Sequence, residues 1–256
     1  MMTLRPVGFV RSAVKNRHDM PPGGVAARIE ILPRYRRALE GLRSCSHIWA
    51  LCFFDKADRA VLRARPRKVS SSLAARGVFA TRSPDRPNPV ALTCARLISA
   101  RGLTLTLDRL DAVDGTPVAD IKPYSPGLDC VPCAAKPDFS RKYRLAADEY
   151  LADAFARTVK NFCGKVEREE LKAAALAFKY ARLTGRAPES GAAEIATNLG
   201  NAGMDALYAL FSLKPSSRVV RKAQFSSPTI IVKTGKRMAR VSLSAGDMRR
   251  FKTLLS

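Results

Sequence analysis

The sequence is poor in acidic residues, histidine and tryptophan, and it lacks a long apolar segment. Its 256 residues include 22 Asp and Glu, two His and one Trp. No apolar run approaches the roughly 20 residues that a membrane-spanning helix needs. Arg5 and Arg11 interrupt the N-terminal segment in which a signal peptide would have its apolar core. We therefore expect a cytoplasmic protein without a membrane span.

Cysteine is also sparse, with six residues in the chain. Six are too few for a disulfide scaffold of this length, and three lie in apolar runs, where cysteine behaves as a small hydrophobe. Cys130 and Cys133 have the spacing of half a zinc knuckle or of a redox pair. A structural zinc site would lack clear third and fourth ligands, although Cys163 could supply one. We predict that the pair packs without a metal.

Basic residues, in contrast, are abundant: 45 Lys and Arg give a formal net charge of +23. Such a surplus attracts polyanions, with RNA or DNA the commonest partners and anionic membranes the next. The segment 214–256 alone has eleven basic residues against a single acid, Asp247. We interpret this segment as an arm that binds a polyanion, with a merely solvated face as the alternative.

The first 127 residues predict short strands joined by stiff loops. Leu4–Val10, Ala27–Leu32 and Ser46–Asp55 have strand patterns, and residues 34–42 have helical spacing. Val90–Ile98 and Leu103–Leu107 form a predicted strand pair. This composition favours a mainly β fold, a small barrel or strongly curved sheet.

The stretch Gly77–Thr93 has the pattern of a binding loop between two strands. Gly77–Thr81 is predicted as a buried strand and Val90 begins the next one. Three prolines, Pro84, Pro87 and Pro89, exclude helix or central strand between them. Such a stiffened loop loses little entropy when it presents side chains to a ligand. A plain surface turn is the alternative.

Beyond residue 140 the chain becomes rich in alanine and helical in pattern as far as residue 213. The predicted apolar faces comprise Leu151, Phe155, Val159 and Phe162 in one helix, and Leu171, Leu176, Phe178 and Tyr180 in the next. Residues 198–213 predict a third helix. A hairpin of 228–233 with 237–243 and a helix capped by Ser244 and Asp247 would follow. We therefore expect two domains, a barrel at 1–140 and a basic α+β extension at 141–256.

With these motifs in view, residues 4–127 resemble the TrmO family of S-adenosylmethionine-dependent tRNA methyltransferases. The resemblance rests on four blocks in one order, and it leaves residues 141–256 unmatched. The blocks are Val7–Ser12, Gly41–Leu42 with Ser46–Trp49, Gly77–Ser83 with Arg86–Pro89, and Asp114–Pro117 with Asp120–Tyr124. The family implies a small β-barrel, usually a homodimer, that methylates N6 of threonylcarbamoyladenosine in the tRNA anticodon loop.

The resemblance also implies site residues. Contacts with S-adenosylmethionine would come from Arg82, Leu92, Asp114, Gly115, Thr116, Pro117, Asp55, Lys56 and the Pro21–Gly23 loop. We assign substrate contacts to Arg86, Asn88 and Lys122. The substrate nitrogen loses a proton near the moment of attack, and Asp120 or Tyr124 would accept that proton or position the group. No metal is required, because alignment and desolvation supply most of the barrier reduction.

Three departures from the family pattern bear on the substrate. Pro21–Gly23 replaces a Pro-Arg-Gln-like triplet, Asp55 replaces a histidine, and Asp85 replaces an aromatic residue. These changes favour a second hypothesis, a methyltransferase of the same fold that acts on another RNA site or on a small metabolite. The net charge supports a third, a non-enzymatic RNA-binding module.

Overall fold

The computed structural model describes residues 4–65, 72–131, 144–188, 194–213, 218–221 and 224–256. These residues divide into two compact units: the first comprises the described residues up to 65 and Ala74–Val131, and the second comprises the described residues after Val131 together with Ser72 and Leu73. The predicted domain boundary at residue 140 lies outside the described residues, so the division at that position stays a prediction.

The first unit contains a closed barrel of six antiparallel strands, in the order β1-β2-β7-β6-β3-β8. The strands are β1 Gly8–Ser12, β2 Val25–Ile31, β3 His47–Phe53, β6 Val90–Arg101, β7 Thr104–Leu110 and β8 Pro117–Pro123. A short helix, α1, follows at Pro126–Asp129. The predicted mainly β barrel is therefore confirmed.

Alternation along each strand fills the barrel. In β3, Ile48, Ala50 and Cys52 are at most 1% exposed, whereas the residues between them point outward and are half-buried. Burial raises the pKa of the Cys52 thiol to about 12, so this cysteine stays protonated and acts as a small hydrophobe. Strand pairing and core formation thus follow the same two-residue period.

The barrel closes through its shortest pairing, between β1 and β8. Two residue pairs form this closing seam, Gly8 with Val118 and Phe9 with Pro117, whereas β3 and β6 share seven pairs. Strand β1 also approaches β2 so closely that a Cβ atom on Gly8 would lie 2.4 Å from the Glu30 carbonyl oxygen. Glycine is therefore required at the start of the seam.

Three local predictions in the first unit are wrong or shifted. The first strand begins at Gly8 rather than Leu4, and a 3-10 helix at Pro33–Leu39, with no fully buried residue, replaces the helix predicted for 34–42. The predicted strand Gly77–Thr81 is a 3-10 turn at Val78–Ala80. Val78 is the buried member of that turn, and the chain just before it pairs in a small hairpin of β4 Arg63–Ala64 and β5 Arg76–Gly77.

The second unit combines helices with a four-stranded sheet in the order β10-β9-β11-β12. Its helices are α2 Asp148–Cys163, α3 Arg168–Thr184, α4 Asn201–Leu210 and α5 Ala245–Thr253. Its strands are β9 Glu194–Thr197, β10 Arg218–Arg221, β11 Thr229–Thr234 and β12 Arg237–Ser242. Strand β9 interrupts the region predicted as helical.

The second unit confirms the predicted hairpin and most of the predicted helical faces. Leu151, Phe155 and Val159 are buried, but Phe162 is 62% exposed, because in the last turn of α2 it is the neighbouring Cys163 that packs against the core. The Ser244 hydroxyl accepts from the Asp247 amide at 3.1 Å, and the Asp247 carboxylate accepts from the Ser244 amide at 2.8 Å. The capping box is therefore present. Within the described ranges, no helix has the length and apolar character needed to cross a bilayer.

Candidate functional site

Four loops meet at one end of the barrel, because the antiparallel order brings them there. Phe53, at the end of β3, pairs with Val90, at the start of β6, and Cys52 pairs with Val118, near the start of β8. The loops at this end, which we call the loop end, are residues 13–24, 54–62, 78–89 and 111–116. The positions predicted to hold the cofactor lie in these loops or in the first residues of β6 and β8.

Asp85 connects three of these segments. Its Oδ1 atom accepts a 2.8 Å ion-pair hydrogen bond from Arg17 Nη1 and a 3.0 Å hydrogen bond from the Asp58 amide. Arg59 Nε donates to the Pro87 carbonyl oxygen at 3.0 Å. Charge-assisted contacts of this kind fix the relative positions of loops that prolines already stiffen. The acidic replacement at Asp85 thus has a structural role at the loop end.

Arg86 is bound to the backbone of the preceding turn. Its Nη2 atom donates to the Thr81 carbonyl oxygen at 2.7 Å and also to the Val78 carbonyl oxygen. Among the described residues, its buried Nε has no hydrogen-bond partner. These contacts make Arg86 a support of the 3-10 turn, and its predicted contact with substrate stays a prediction. Asn88 is exposed, and its carbonyl oxygen accepts from the Val90 amide at 2.8 Å.

Arg82 differs from Arg86 because its guanidinium group is uncommitted. Arg82, Asp55 and Lys56 are all exposed at the loop end, and none of the three side chains makes a hydrogen bond or ion pair within the part of the chain that the structure describes. Leu92, the third residue of β6, is 44% exposed. The loop end therefore offers a free cation, a free anion and an apolar side chain.

The turn Asp114–Pro117 is attached to β1 and the segment after it. The Asp114 amide donates to the Val14 carbonyl oxygen at 2.8 Å, and the Gly115 amide donates to that of Val10 at 2.9 Å. Ser12 donates its amide to Asp114 Oδ1 at 3.1 Å. Gly115 has the positive φ, 78°, that the Asp-Gly pair predicts. The Thr116 carbonyl oxygen also accepts, from the Val10 amide at 3.0 Å, so among the described contacts the turn keeps the Asp114 and Gly115 carbonyl oxygens as acceptors for a ligand.

Of the two predicted catalytic residues, Asp120 lies on the outward face of β8 and Tyr124 directly follows the last residue of that strand. Asp120 pairs in register with Leu51 of β3, which pairs with Leu92 of β6, so the three residues form one row across the barrel wall. Neighbouring strands lie about 5 Å apart, which places the Asp120 and Leu92 backbones about 10 Å apart. Lys122 Nζ forms a 2.8 Å ion pair with Asp120 Oδ2. Asp120 is thus on the same wall as Leu92, with Lys122 beside it.

Tyr124 lies at the far end of the same wall. Its ring centroid is 5.8 Å from that of Trp49 and 6.4 Å from that of His47. Desolvation raises the pKa of the Tyr124 phenol above its ordinary value, with smaller contributions from Cys130 and Cys94. The phenol therefore stays protonated at neutral pH and can donate a hydrogen bond, but it is a poor proton acceptor.

Two apolar residues at the loop end are exposed, which the sequence did not predict. Phe79, which the strand prediction buried, is 88% exposed, and Leu62 is 67% exposed. The two are neighbours, because the Val78 amide donates to the Leu62 carbonyl oxygen at 3.0 Å. The apolar run Val78–Ala80 is too short for its pattern to show which of its side chains face solvent. An exposed aromatic beside a free arginine is typical of a contact surface.

The structure gives no sign of a metal centre. In the ranges with described coordinates, no group of three or more His, Cys, Asp or Glu side chains could hold a metal ion. Cys130 is a free, exposed thiol. Cys133 lies outside the described residues, so the predicted packing of this pair stays a prediction.

Comparisons with known proteins agree on the first unit. Residues 9–130 match the family model of the tRNA-methyltransferase O N-terminal domain. An S-adenosyl-L-methionine-binding protein of Archaeoglobus fulgidus is 40% identical over 51% of this chain and 94% of its own length. The tRNA (adenine(37)-N6)-methyltransferase of Escherichia coli is 33% identical over 70% of this chain and 75% of its own length. Because 70% of this chain is longer than the segment 4–127 on which the resemblance rests, the alignment with the Escherichia coli protein extends beyond that segment.

Other relatives are matched over a smaller share of their length. A probable S-adenosyl-L-methionine-binding protein of Archaeoglobus fulgidus is 41% identical over 51% of this chain, which corresponds to 36% of that protein. A crystal structure of TrmO from Pseudomonas aeruginosa is 34% identical, covers 53% of this chain and 61% of that chain, and superposes with a TM-score of 0.44. This chain thus spans between about a third and nearly all of the relatives that it matches.

Proposed function

Because this chain belongs to the TrmO family, we propose that it is an S-adenosylmethionine-dependent tRNA methyltransferase that acts on N6 of threonylcarbamoyladenosine in the anticodon loop. The observation that carries the proposal is the loop end itself. It brings the positions implied by the resemblance to one end of a barrel and leaves Arg82 uncommitted there.

The chemistry of the loop end fits the cofactor. When bound, S-adenosylmethionine supplies a methyl group activated by a sulfonium, together with a carboxylate, an ammonium and an adenosine. Arg82 suits the carboxylate, since it is an exposed cation without a partner among the described residues. The acceptor oxygens of Asp114–Pro117 suit donors such as an ammonium or an amino group, and Leu92 provides an apolar wall. Asp55 is a second anion for the cationic groups.

The substrate nitrogen must lose a proton, and the wall beside Leu92 offers an acceptor. Asp120 can take that proton as a carboxylate, while Lys122 steadies its orientation through the 2.8 Å ion pair. Tyr124, with its raised pKa, acts instead as a donor that positions the substrate. Arg86 supports the loop through the Val78 and Thr81 carbonyl oxygens and acts on substrate through that loop.

The active form that we propose is a homodimer. Phe79 and Leu62 expose apolar surface at the loop end, and Val90 and Leu92 are 38% and 44% exposed on the adjacent wall. A second copy that covers these residues would bury them and would exclude water from the cofactor. Its loops would then complete the site.

Nucleoside analysis tests the proposed acceptor. The full chain would be incubated with methyl-labelled cofactor and tRNA from two strains, one able and one unable to make threonylcarbamoyladenosine. We expect label in the modified adenosine of the first tRNA and none in the second. Equal labelling of both would instead support another acceptor, for which the anion at Asp55 is the motivating feature. If the protein neither labelled tRNA nor bound the cofactor, the remaining hypothesis would be a non-enzymatic RNA-binding module.

A further inference from the structure

The second unit carries an unbalanced positive charge on one hairpin. Several basic residues on its helices form ion pairs: Arg157 with Asp153 at 2.9 Å, Lys172 with Glu169 at 2.5 Å, and Lys179 with Asp247 at 2.7 Å. The β11–β12 hairpin differs. In the described part of the chain, Lys233, Lys236, Arg237 and Arg240 are exposed and none forms an ion pair.

Strand register puts two of these cations on the sheet face opposite the helices. Val232 and Val241 are 2% exposed and point into the core with Ile230. Lys233 pairs with Met238, and Ile231 with Arg240, on the other face. Lys236 lies in the two-residue turn. We call Lys233, Lys236, Met238 and Arg240 the hairpin surface. Glu194 lies across from Lys233 in β9 without an ion pair between them in the described residues.

The hairpin surface also has groups that contact flat rings. The Arg240 guanidinium lies over the Phe225 ring, 5.2 Å from the ring centre, so it makes a cation–π contact. Met238 is 74% exposed beside it. A cavity of about 400 Å³ lies on the helix-facing side of the same hairpin, where Tyr180, Thr184, Arg186 and Arg237 line it, and Met238 also lines it. Cations, hydroxyls and a flat guanidinium suit nucleotides better than acyl chains, which need a broad apolar face.

We propose that the hairpin surface binds an RNA strand, with Lys233, Lys236 and Arg240 on backbone phosphates and Met238 against an unstacked base. This inference deepens the proposed function, on which it rests for RNA as the acceptor. It assigns the second unit the role of gripping the tRNA that the first unit modifies. Each phosphate contact releases counterions, so binding through this surface depends on salt.

The test compares two triple variants of the full chain that lose the same charge. One is Lys233→Ala/Lys236→Ala/Arg240→Ala. The matched control is Arg34→Ala/Arg36→Ala/Arg43→Ala, three exposed arginines within the 3-10 helices Pro33–Leu39 and Leu42–Ser44 that follow β2. The affinity for tRNA would be measured over a series of salt concentrations. Loss of three phosphate contacts should lower the slope of log affinity against log salt by about 2 to 3 and weaken binding about tenfold or more.

Three further results decide the inference. The charge-preserving variant Lys233→Arg/Lys236→Arg should bind tRNA as the unchanged protein does, and circular dichroism should show each variant folded. In methyl transfer, the hairpin variant should raise the KM for tRNA and leave kcat unchanged. Equal tRNA affinity and salt slope in the hairpin variant and the control would overturn the inference, even if both transfer methyl groups.

A membrane would give a different pattern. If the hairpin variant lost binding to phosphatidylserine vesicles but kept its affinity for tRNA, the surface would be a lipid contact and the inference would be wrong. Conversely, the unchanged protein could transfer no methyl group while the hairpin variant, but not the control, loses affinity for tRNA. That result would contradict the proposed function and support RNA binding by the hairpin surface. The two failures are therefore distinguishable.

Discussion

Arg82 is the residue that most directly tests the candidate site, because it is exposed at the loop end and has no partner among the described residues. We expect Arg82→Ala to weaken S-adenosylmethionine binding about tenfold to a hundredfold, the loss of one charge-assisted hydrogen bond. Isothermal titration calorimetry measures this change. Arg101→Ala, at the exposed last residue of β6 at the other end of the barrel, is the control and should bind normally. Equal affinities in both variants would remove Arg82 from the site.

Asp120 and Tyr124 should respond differently to substitution. Asp120→Asn removes the proposed proton acceptor and should lower kcat about a hundredfold, within the usual range for general bases, with cofactor affinity unchanged. Tyr124→Phe should leave kcat within a few-fold, because desolvation raises the pKa of this phenol and so makes it a poor proton acceptor at neutral pH. Single-turnover kinetics separates the two cases. A fully active Asp120→Asn enzyme would rule out this assignment.

At the scale of elements, the first turn of α5 depends on Asp247. This carboxylate accepts from Lys179 Nζ at 2.7 Å and from the Ser244 amide, and the Lys179 hydrogen bond is the main reason that its pKa falls from 3.8 to about 2. A lowered pKa stabilises the folded state above pH 3.8, and that contribution is lost as the pH falls towards 2. The helix cap is therefore sensitive to acid.

Asp247→Asn should lower the free energy of unfolding of the second unit by about 1 kcal/mol at neutral pH. The difference from the unchanged protein should narrow as the pH falls below 3.8. Urea denaturation followed by far-UV circular dichroism, which reports the helices, checks both statements. A difference that stays constant down to pH 2 would mean that the charge of Asp247 contributes nothing to the cap.

The elements also show which parts of the fold the sequence could predict. Long alternating or helical patterns, such as Ala27–Leu32 and the capped helix at Ser244, gave correct elements because burial repeats with the period of the structure. Gly77–Thr81 failed because a short apolar run does not reveal whether a partner strand exists. The predicted burial of Phe162 was wrong because helical spacing does not reveal which residue of the last turn contacts the core.

The same limit applies to the site. Loops at one end of a barrel follow from strand order, so motif blocks could place Arg82 near Asp114–Pro117. Sequence could not show that Arg86 is committed to backbone carbonyl oxygens, or that the turn amides are already engaged. The partners of the turn amides lie about 100 residues away along the chain, and those of Arg86, although close, depend on a 3-10 turn that the apolar pattern did not predict.

At the scale of the whole molecule, the exposed apolar residues predict self-association. Phe79→Ser, on a side chain that is 88% exposed, should shift the protein from dimer to monomer in analytical ultracentrifugation. Ile98→Ser is the matched control, since Ile98 is 54% exposed near the far end of β6. A monomeric unchanged protein with full methyl transfer activity would contradict the proposed homodimer.

The closing seam between β1 and β8 gives the barrel a place at which to open. Its two residue pairs, Gly8 with Val118 and Phe9 with Pro117, lie directly beside the turn Asp114–Pro117. Local opening at so short a pairing costs less than global unfolding, so the Val10 and Gly115 amides should exchange with deuterium earlier than those between β3 and β6. A cofactor resting on the turn would slow that exchange, which mass spectrometry can follow. Cofactor binding and closure of the seam between β1 and β8 would then be thermodynamically coupled.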